Sequence, residues 1–598
     1  MIIKEGVKPV KHLMTGNEAI ARGCYEAGVT VTAAYPGTPS TEILENMAQY
    51  KEDIYSEWSP NEKVAMEVAI GASIAGARSL AAMKHVGVNV AADAIFTYAY
   101  TGVNGGFVFV SADDPGMHSS QNEQDNRHFA RHAKFPMLEP SDSQEAKDFT
   151  KEAFEISEKF DVPVMLRVTT RICHSKTPVS FEDRVGDKVK PYEKNIKKYV
   201  ATPANGRVLH VLLEKKLIEL EKFSNETSLN RIEWNDKTIG IITSGVAYEY
   251  AKEVFGEDAS YFKIGFSYPL PMEKIKSFAK EVDTLYVIEE LEPFMEEQMK
   301  ANGIQCIGKE KIPNVGELSP HVIEEALKGT KAETLPVKAE KAVPRPPVMC
   351  AGCPHRGFFY ELSRKKNIMV TGDIGCYTLG SAEPLNAMDT CICMGASVSA
   401  GHGAQVAFNK NKIDKKVVGV IGDSTFFHSG ITGLLDIVYN RGNVVTVILD
   451  NRITGMTGHQ ENPGTGYTLM GEEAPVIDIA SVVKACGVKH IETVNPNNLK
   501  ESKEALDRAL ASDEPSVLIT RWPCVLKNFS KEDIEEFDLK KTICKVNEEK
   551  CTTCKVCGRV GCPAISFDEK AKIDPTMCVG CEVCLQVCPF KAIEKVGE

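Results

Sequence analysis

The chain has 598 residues, 43% of them hydrophobic and 25% charged, with a formal net charge of -12 at pH 7. That is the balance of globular protein with several cores, and the length gives a prior of about four domains. The acidic balance, with no basic stretch, argues against a nucleic-acid partner, and no apolar run nears the ~20 residues of a membrane span. The opening Met-Ile-Ile-Lys-Glu-Gly lacks a signal-peptide pattern, so a cytoplasmic location is expected. The nineteen cysteines then read as metal ligands rather than disulfides.

In chain order, Thr15-Gly-Asn-Glu18 opens a helix with capping-type residues before an apolar face. Strands are expected at Thr30–Tyr35, Leu80–His85, Phe107–Ser111 and Val162–Val168, with Pro36–Ser40 as a loop before the next helix. Residues 1–190 therefore form a doubly wound α/β domain. Glu62 begins the helical run Glu62-Lys-Val-Ala-Met-Glu-Val-Ala-Ile-Gly71, where an acid is favoured by the helix dipole whatever else it does. Lys84-His85 follows a strand, and the polar loop 113–122 follows another. Residues 191–235 are charged and helical and read as a linker. Strands at Thr238–Ser244, Tyr261–Gly265 and Thr284–Glu289 make 236–335 a second, smaller α/β domain. Residues 336–347, rich in Pro, Lys and Ala, read as an extended linker.

Residues 348–540 contain the stretch around which the chain is organised. Two β-branched runs, Val417–Ile421 and Val444–Leu449, flank one amphipathic segment, which is a βαβ unit with strands buried on both faces. Gly422-Asp423 closes the first strand and Asp450-Asn451 the second. Ligands bind beyond the carboxyl ends of parallel strands, so Asp423 and Asn451 can share one small, hard cation.

The tail, 541–598, carries Cys551-x2-Cys554-x2-Cys557-x4-Cys562-Pro and Cys578-x2-Cys581-x2-Cys584-x3-Cys588-Pro. The second run has the spacing of bacterial 2×4Fe–4S ferredoxins, and the first has one extra spacer residue. In that α+β fold the fourth cysteine of each run serves the other cluster. Cys551, Cys554, Cys557 and Cys588 are thus expected to hold one 4Fe–4S cluster, and Cys578, Cys581, Cys584 and Cys562 the second.

Gly422-Asp423-Ser424, the spacer and Asn451 resemble the diphosphate-binding signature of thiamine-diphosphate enzymes, with Ser424 in place of the usual second glycine. The resemblance implies thiamine diphosphate and Mg²⁺, the ion held by the Asp423 carboxylate, the Asn451 amide and the Ile453 carbonyl. Met394-Gly395 resembles the start of a helix whose backbone meets that cofactor, and Glu62 with Ala65, Ala69 and Gly71 resembles the helix whose Glu bonds N1′ of the aminopyrimidine. Tyr35-Pro-Gly-Thr38-Pro-Ser40 resembles a loop of 2-oxoacid:ferredoxin oxidoreductases whose Thr lies near the substrate. Where those enzymes tend to carry Ser/Thr-Gly-Pro-Gly, this chain has Lys84-His85-Val-Gly87, so His85 is either a catalytic candidate or a satisfied structural residue. Cys350-x2-Cys353, Cys376 in Gly-Ile-Gly-Cys and Cys524 match that family's cysteines near the thiazole, which implies a third 4Fe–4S cluster. A structural thiol pair or a zinc site are the other readings.

The order of pyrimidine domain, transketolase C-terminal-like domain, diphosphate domain and ferredoxin domain resembles the large subunits of the indolepyruvate branch of the 2-oxoacid:ferredoxin oxidoreductases. It implies a multidomain α/β enzyme that decarboxylates an aryl 2-oxoacid oxidatively. Indolepyruvate and coenzyme A would give the acyl-CoA and CO₂, with ferredoxin taking the electrons. The same chemistry on phenylpyruvate, pyruvate or a branched-chain 2-oxoacid is one alternative. A non-catalytic electron-transfer subunit is another, against which Glu62, Asp423 and Asn451 speak. The family also uses a γ-type domain that contributes to coenzyme A binding. No segment is left over for it here, so a separate beta subunit and an α₂β₂ assembly are expected.

Overall fold

The computed structural model describes residues 10–331, 346–539 and 542–596. The expected extended linker at 336–347 falls almost wholly outside these residues, as do the first nine residues. The chain divides into two compact units, 1–337 and 338–598. Among the described residues no helix is long and apolar enough to cross a membrane.

The first unit is built on a seven-stranded sheet. In spatial order its strands are Phe266–Tyr268, Met137–Leu138, Val164–Thr169, Phe107–Asp113, Ser79–Lys84, Val31–Ala34 and Tyr55–Trp58. All but the first run parallel. The four long inner strands bury nearly every residue, as a sheet covered by helices on both faces requires. Thr15 caps the helix Gly16–Glu26: its Oγ1 accepts from the Glu18 N–H at 3.1 Å while its own N–H donates to Glu18 Oε2 at 2.7 Å.

A second sheet in this unit orders Thr284–Ile288, Ile239–Ser244, Ser260–Ile264 and Arg231–Glu233. The next strand along the chain, Phe266–Tyr268, leaves that sheet and pairs antiparallel with Met137–Leu138 of the first. The regions 1–190 and 236–335 therefore share a sheet. The stretch 191–235, read as a linker, contains the helix Pro203–Glu226, which buries Leu209, Leu213 and Leu220. Its charged face hid a narrow apolar stripe, so it is packed structure rather than a free spacer.

Arg127 ties these two regions together. Its guanidinium is fully buried and donates to Asp125 at 2.9 Å, to Glu289 Oε2 at 2.6 Å and to the carbonyls of Glu290 and Glu292 at 2.7 and 2.9 Å. Burial alone would push Asp125 up, yet the charge of Arg127 holds its carboxyl far below the usual range.

The second unit is built on six parallel strands in the order Thr390–Cys391, Ile368–Gly372, Lys416–Gly422, Val445–Asp450, Ser516–Arg521, His490–Val494. The expected strands at 417–421 and 444–449 are its two central ones. The tail adds two antiparallel pairs, Ile543–Val546 with Ile593–Val596 and Ile565–Phe567 with Ala571–Ile573.

Removing the Arg127 guanidinium would leave the buried carboxylates of Asp125 and Glu289 with backbone N–H partners but without their shared cation. Arg127→Ala is expected to destabilise the first unit by ~3–5 kcal/mol, measured by urea unfolding. A loss below ~1 kcal/mol would show that the carboxylates find other partners.

Candidate functional site

Strand Lys416–Gly422 delivers Asp423 to the carboxyl edge of the parallel sheet. The following segment is α-helical over Asp423–Thr425, becomes a π-helix over Phe426–Gly430, and returns to α-helix over Ile431–Tyr439. π-turns inside helices recur at functional sites because one extra residue re-aims the side chains before it. No sequence pattern announced this one.

Tyr377, from the Gly-Ile-Gly-Cys-Tyr stretch, lies across Gly422: a Cβ there would meet the ring at 2.6 Å. Its hydroxyl donates to the Ile374 carbonyl at 3.0 Å. Asp373 is buried and accepts from the backbone N–H groups of Gly395 at 2.9 Å and Ser397 at 3.0 Å. It therefore holds the Met394-Gly395 turn in place. Gly395 has φ 85°, and a Cβ there would collide with Ser429. Ser424 Oγ accepts from Thr454 Oγ1 at 2.9 Å, which ties Asp423's neighbour to the loop after Asn451.

The electrostatics centre on Asp423. It is 4% exposed, and Oδ1 accepts from the Ser424 N–H at 2.8 Å. Oδ2 is buried with no hydrogen-bond partner among the described residues. Burial, then the charge of Asp450, push its carboxyl up to about 8. Asp450 itself is paired with Arg521 at 2.7 Å. Asn451 and Ile453 are also buried. Asn462, whose Nδ2 is buried without a partner, adds a polar side chain beside Asp423. An unpaired carboxylate oxygen among amide and carbonyl groups, with a second carboxylate close by, is a donor set suited to a hard cation with oxygen ligands. The site fits Mg²⁺ and a diphosphate.

The cysteines of the same unit gather at this edge. Cys524 donates its backbone N–H to the Asn451 carbonyl at 3.0 Å. A Cβ built on Gly455 would lie 3.5 Å from Cys376 Sγ and 3.9 Å from Asn451 Nδ2. Burial, with hydrogen bonding and the neighbouring thiols as smaller contributions, sets the thiol of Cys353 at about 12 and that of Cys376 at about 11; Cys350 and Cys524 act on both. Cys350 and Cys524 thus lie near both Cys353 and Cys376. Cys391 and Cys393 are exposed and belong to none of these groups.

In the tail, Cys551, Cys554, Cys557 and Cys588 line one cavity, and Cys562, Cys578, Cys581 and Cys584 line another. The two cavities are alike in size, so they suit inorganic groups of one kind. Among the described residues no group of three or more His, Cys, Asp or Glu side chains is drawn together closely enough to hold a metal ion. Arg356 joins the tail to the Cys350 loop. Its guanidinium donates to the carbonyls of Met349, of Cys350 at 3.0 Å, of Val560 at 3.1 Å and of Gly561 at 2.6 Å. Ala351 and Gly352, between Cys350 and Cys353, form part of the wall of the second tail cavity.

The first unit places its candidates at the carboxyl edge of its own sheet. Glu62 opens the helix Glu62–Ile74 and is 5% exposed. A Cβ on Gly87 would meet Glu62 Cγ at 2.6 Å and Oε1 at 2.8 Å, so Gly87 is the residue that lets the carboxyl lie there. Sequence reasoning missed that role. Thr38 is half-buried, and the adjoining Gly37 lies against Lys84, whose Cβ would be 3.1 Å from one on Gly37.

His85, a catalytic candidate, is fully buried. Its Nε2 faces Asn122 Oδ1 at 3.2 Å, and its carbonyl accepts from Asn126 Nδ2 at 3.0 Å. The ring sits inside the fold, at the first residue of the helix His85–Thr101, and its Nδ1 is buried with no hydrogen-bond partner among the described residues. Lys84, at the same strand end, is the partly exposed cation. Burial draws its amine down to about 8, against the pull of Asp114.

Three family models match the chain. A pyruvate flavodoxin/ferredoxin oxidoreductase thiamine-diphosphate-binding domain covers 22–227, a thiamine pyrophosphate enzyme C-terminal TPP-binding domain covers 373–520, and a 4Fe-4S binding domain covers 571–594. The chain is 43% identical to the indolepyruvate oxidoreductase subunit IorA of Archaeoglobus fulgidus, over 98% of this chain and 97% of that one. It is 41% identical to the IorA of Pyrococcus horikoshii, with the same shares covered. A 2-oxoglutarate:ferredoxin oxidoreductase from Magnetococcus marinus aligns with a TM-score of 0.46 at 17% identity, over 54% of this chain and 65% of that one. The chain belongs to the indolepyruvate oxidoreductase subunit IorA family, and is a thiamine-diphosphate-dependent 2-oxoacid:ferredoxin oxidoreductase with iron–sulfur clusters.

Proposed function

We propose that this chain is the catalytic subunit of an enzyme that oxidatively decarboxylates an aryl 2-oxoacid, indolepyruvate, with coenzyme A, and passes the electrons to ferredoxin. The observation that carries the proposal is the buried, unpartnered Oδ2 of Asp423 beside Asn451, with Cys376 and Cys524 at the same strand ends. The printed name of the relatives supports the substrate.

Bound thiamine diphosphate supplies the carbon nucleophile and electron sink that decarboxylation of a 2-oxoacid needs. Asp423 Oδ2, the Asn451 side chain and the Ile453 carbonyl would hold the Mg²⁺, and Gly395, Gly422 and Ser424 would border the diphosphate. Glu62 would hold and move a proton at its carboxyl oxygen against N1′, with Gly87 leaving room for it. Thr38 and Lys84, rather than the buried His85, are the polar groups at that sheet edge with exposure to meet a carboxylate.

Three 4Fe–4S clusters are proposed. One lies on Cys350, Cys353, Cys376 and Cys524, and two lie in the tail cavities. The Ala351-Gly352 turn then separates the first from the Cys562/Cys578/Cys581/Cys584 cluster, which supports a relay in that order. A beta subunit with the γ-type domain, in an α₂β₂ complex, would complete the coenzyme A site.

Glu62→Gln should retain thiamine diphosphate but lower kcat by ~10²–10⁴-fold. Gly87→Ala, which pushes the same carboxyl aside, should lower it by about 10²-fold. Asp423→Ala should instead lose Mg²⁺ and cofactor together in equilibrium dialysis. Near-full activity of Glu62→Gln would remove the pyrimidine-side assignment.

Iron analysis of the reconstituted chain should give about twelve irons, at about four per cluster, falling to about eight in Cys350→Ser/Cys353→Ser. Eight irons in both would leave only the tail clusters.

Anaerobic viologen reduction by the purified complex, with and without coenzyme A, should be fastest with indolepyruvate, then phenylpyruvate, and slow with pyruvate. It should also be weak for the isolated chain without its partner. A preference for pyruvate would overturn the aryl specificity, and full activity of the isolated chain would overturn the need for a beta subunit.

A further inference from the structure

The second tail cavity has five thiols, and a 4Fe–4S cluster uses four. Besides Cys562, Cys578, Cys581 and Cys584, the cavity is lined by Cys544, which lies outside both Cys-rich runs. Cys544 belongs to the strand Ile543–Val546 and is 2% exposed. Its backbone N–H donates to Cys578 Sγ at 3.3 Å, so the strand lies directly on the ligand loop. Gly580, with φ 72°, lies against the backbone carbonyl of Thr542, and any side chain there would lift the strand away. The thiol of Cys544 faces those of Cys584 and Cys578. A buried thiol in such a position is shielded from solvent oxidants and has few partners other than the sulfurs and iron beside it.

We propose that Cys544 is a reserve iron ligand of the second tail cluster, able to take the place of Cys584. This rests on the assignment of that cavity to a 4Fe–4S cluster. In the exchange, the iron–sulfur bond to Cys584 breaks and one to Cys544 forms. The thiol proton of Cys544 passes to the Cys584 sulfur, and no electron is gained or lost. Of the two sulfurs that the Cys544 thiol meets, that of Cys578 also accepts from the backbone of the same strand, so the exchange is assigned to Cys584.

The test is iron content and electron paramagnetic resonance of the dithionite-reduced, full-length protein. Cys581→Ala should lose about four irons per chain, since no spare thiol replaces it. Cys584→Ala should lose none, and the double variant Cys544→Ala/Cys584→Ala should again lose about four. Persistence of the first tail cluster's signal in every variant shows that the tail has folded. Loss of four irons in Cys584→Ala alone overturns the proposal, as does full iron in the double variant. If Cys581→Ala and Cys551→Ala both keep all their iron, it is the cluster assignment itself that fails.

Discussion

A carboxylate cannot remain charged in a water-poor pocket next to a second carboxylate unless something positive joins it. Asp423 is in that position, and much of the second unit is arranged about it. The parallel sheet aims the residue, and the ring of Tyr377 across Gly422 closes the near side. The π-turn redirects the chain that follows, and Arg521 engages Asp450 so that only one of the two acids is left wanting. Asp373 uses its charge differently. Backbone N–H groups at Gly395 and Ser397 satisfy it, so it shapes the turn and leaves the cation to its neighbour.

The same edge gathers the sulfur chemistry. Cys376 and Cys524 are placed by the loops that carry Ile374 and Asn451, and Cys350 and Cys353 by the turn that Arg356 secures. In the proposed reading, carbon chemistry and electron acceptor would thus be built from adjacent strand ends of one sheet. Electrons released at such a site would start on a short path, and the cavity wall shared with the tail keeps the next step short as well.

Where local chemistry declares itself, the sequence was readable. The βαβ unit around Asp423 and Asn451 showed in two β-branched runs, and the tail in the spacing of its cysteines, because strand burial and cluster ligation both impose fixed residue intervals. What did not show depends on contacts made across the fold. Gly87 looks like any helix glycine until Glu62 is seen lying on it. His85 stood open between two readings, and the burial of its ring is set by packing that no local pattern carries. The helix Pro203–Glu226 has so many Lys and Glu residues that its three buried leucines were lost in the average. Phe266–Tyr268 joins a sheet begun more than a hundred residues earlier, and three residues carry no period to reveal it.

The guanidinium of Arg356 satisfies four carbonyls, two on the loop of Cys350 and two on the tail at Val560 and Gly561, and Gly352 presses without a side chain against Val579. A ferredoxin held in this way is no longer a carrier that docks and departs. It would serve as a fixed conductor, soldered at one terminal. The joint also constrains descent. An unrelated ferredoxin module grafted onto this chain would need the same paired carbonyls and the same flat approach to Gly352, so the two halves of the wire can change only in step.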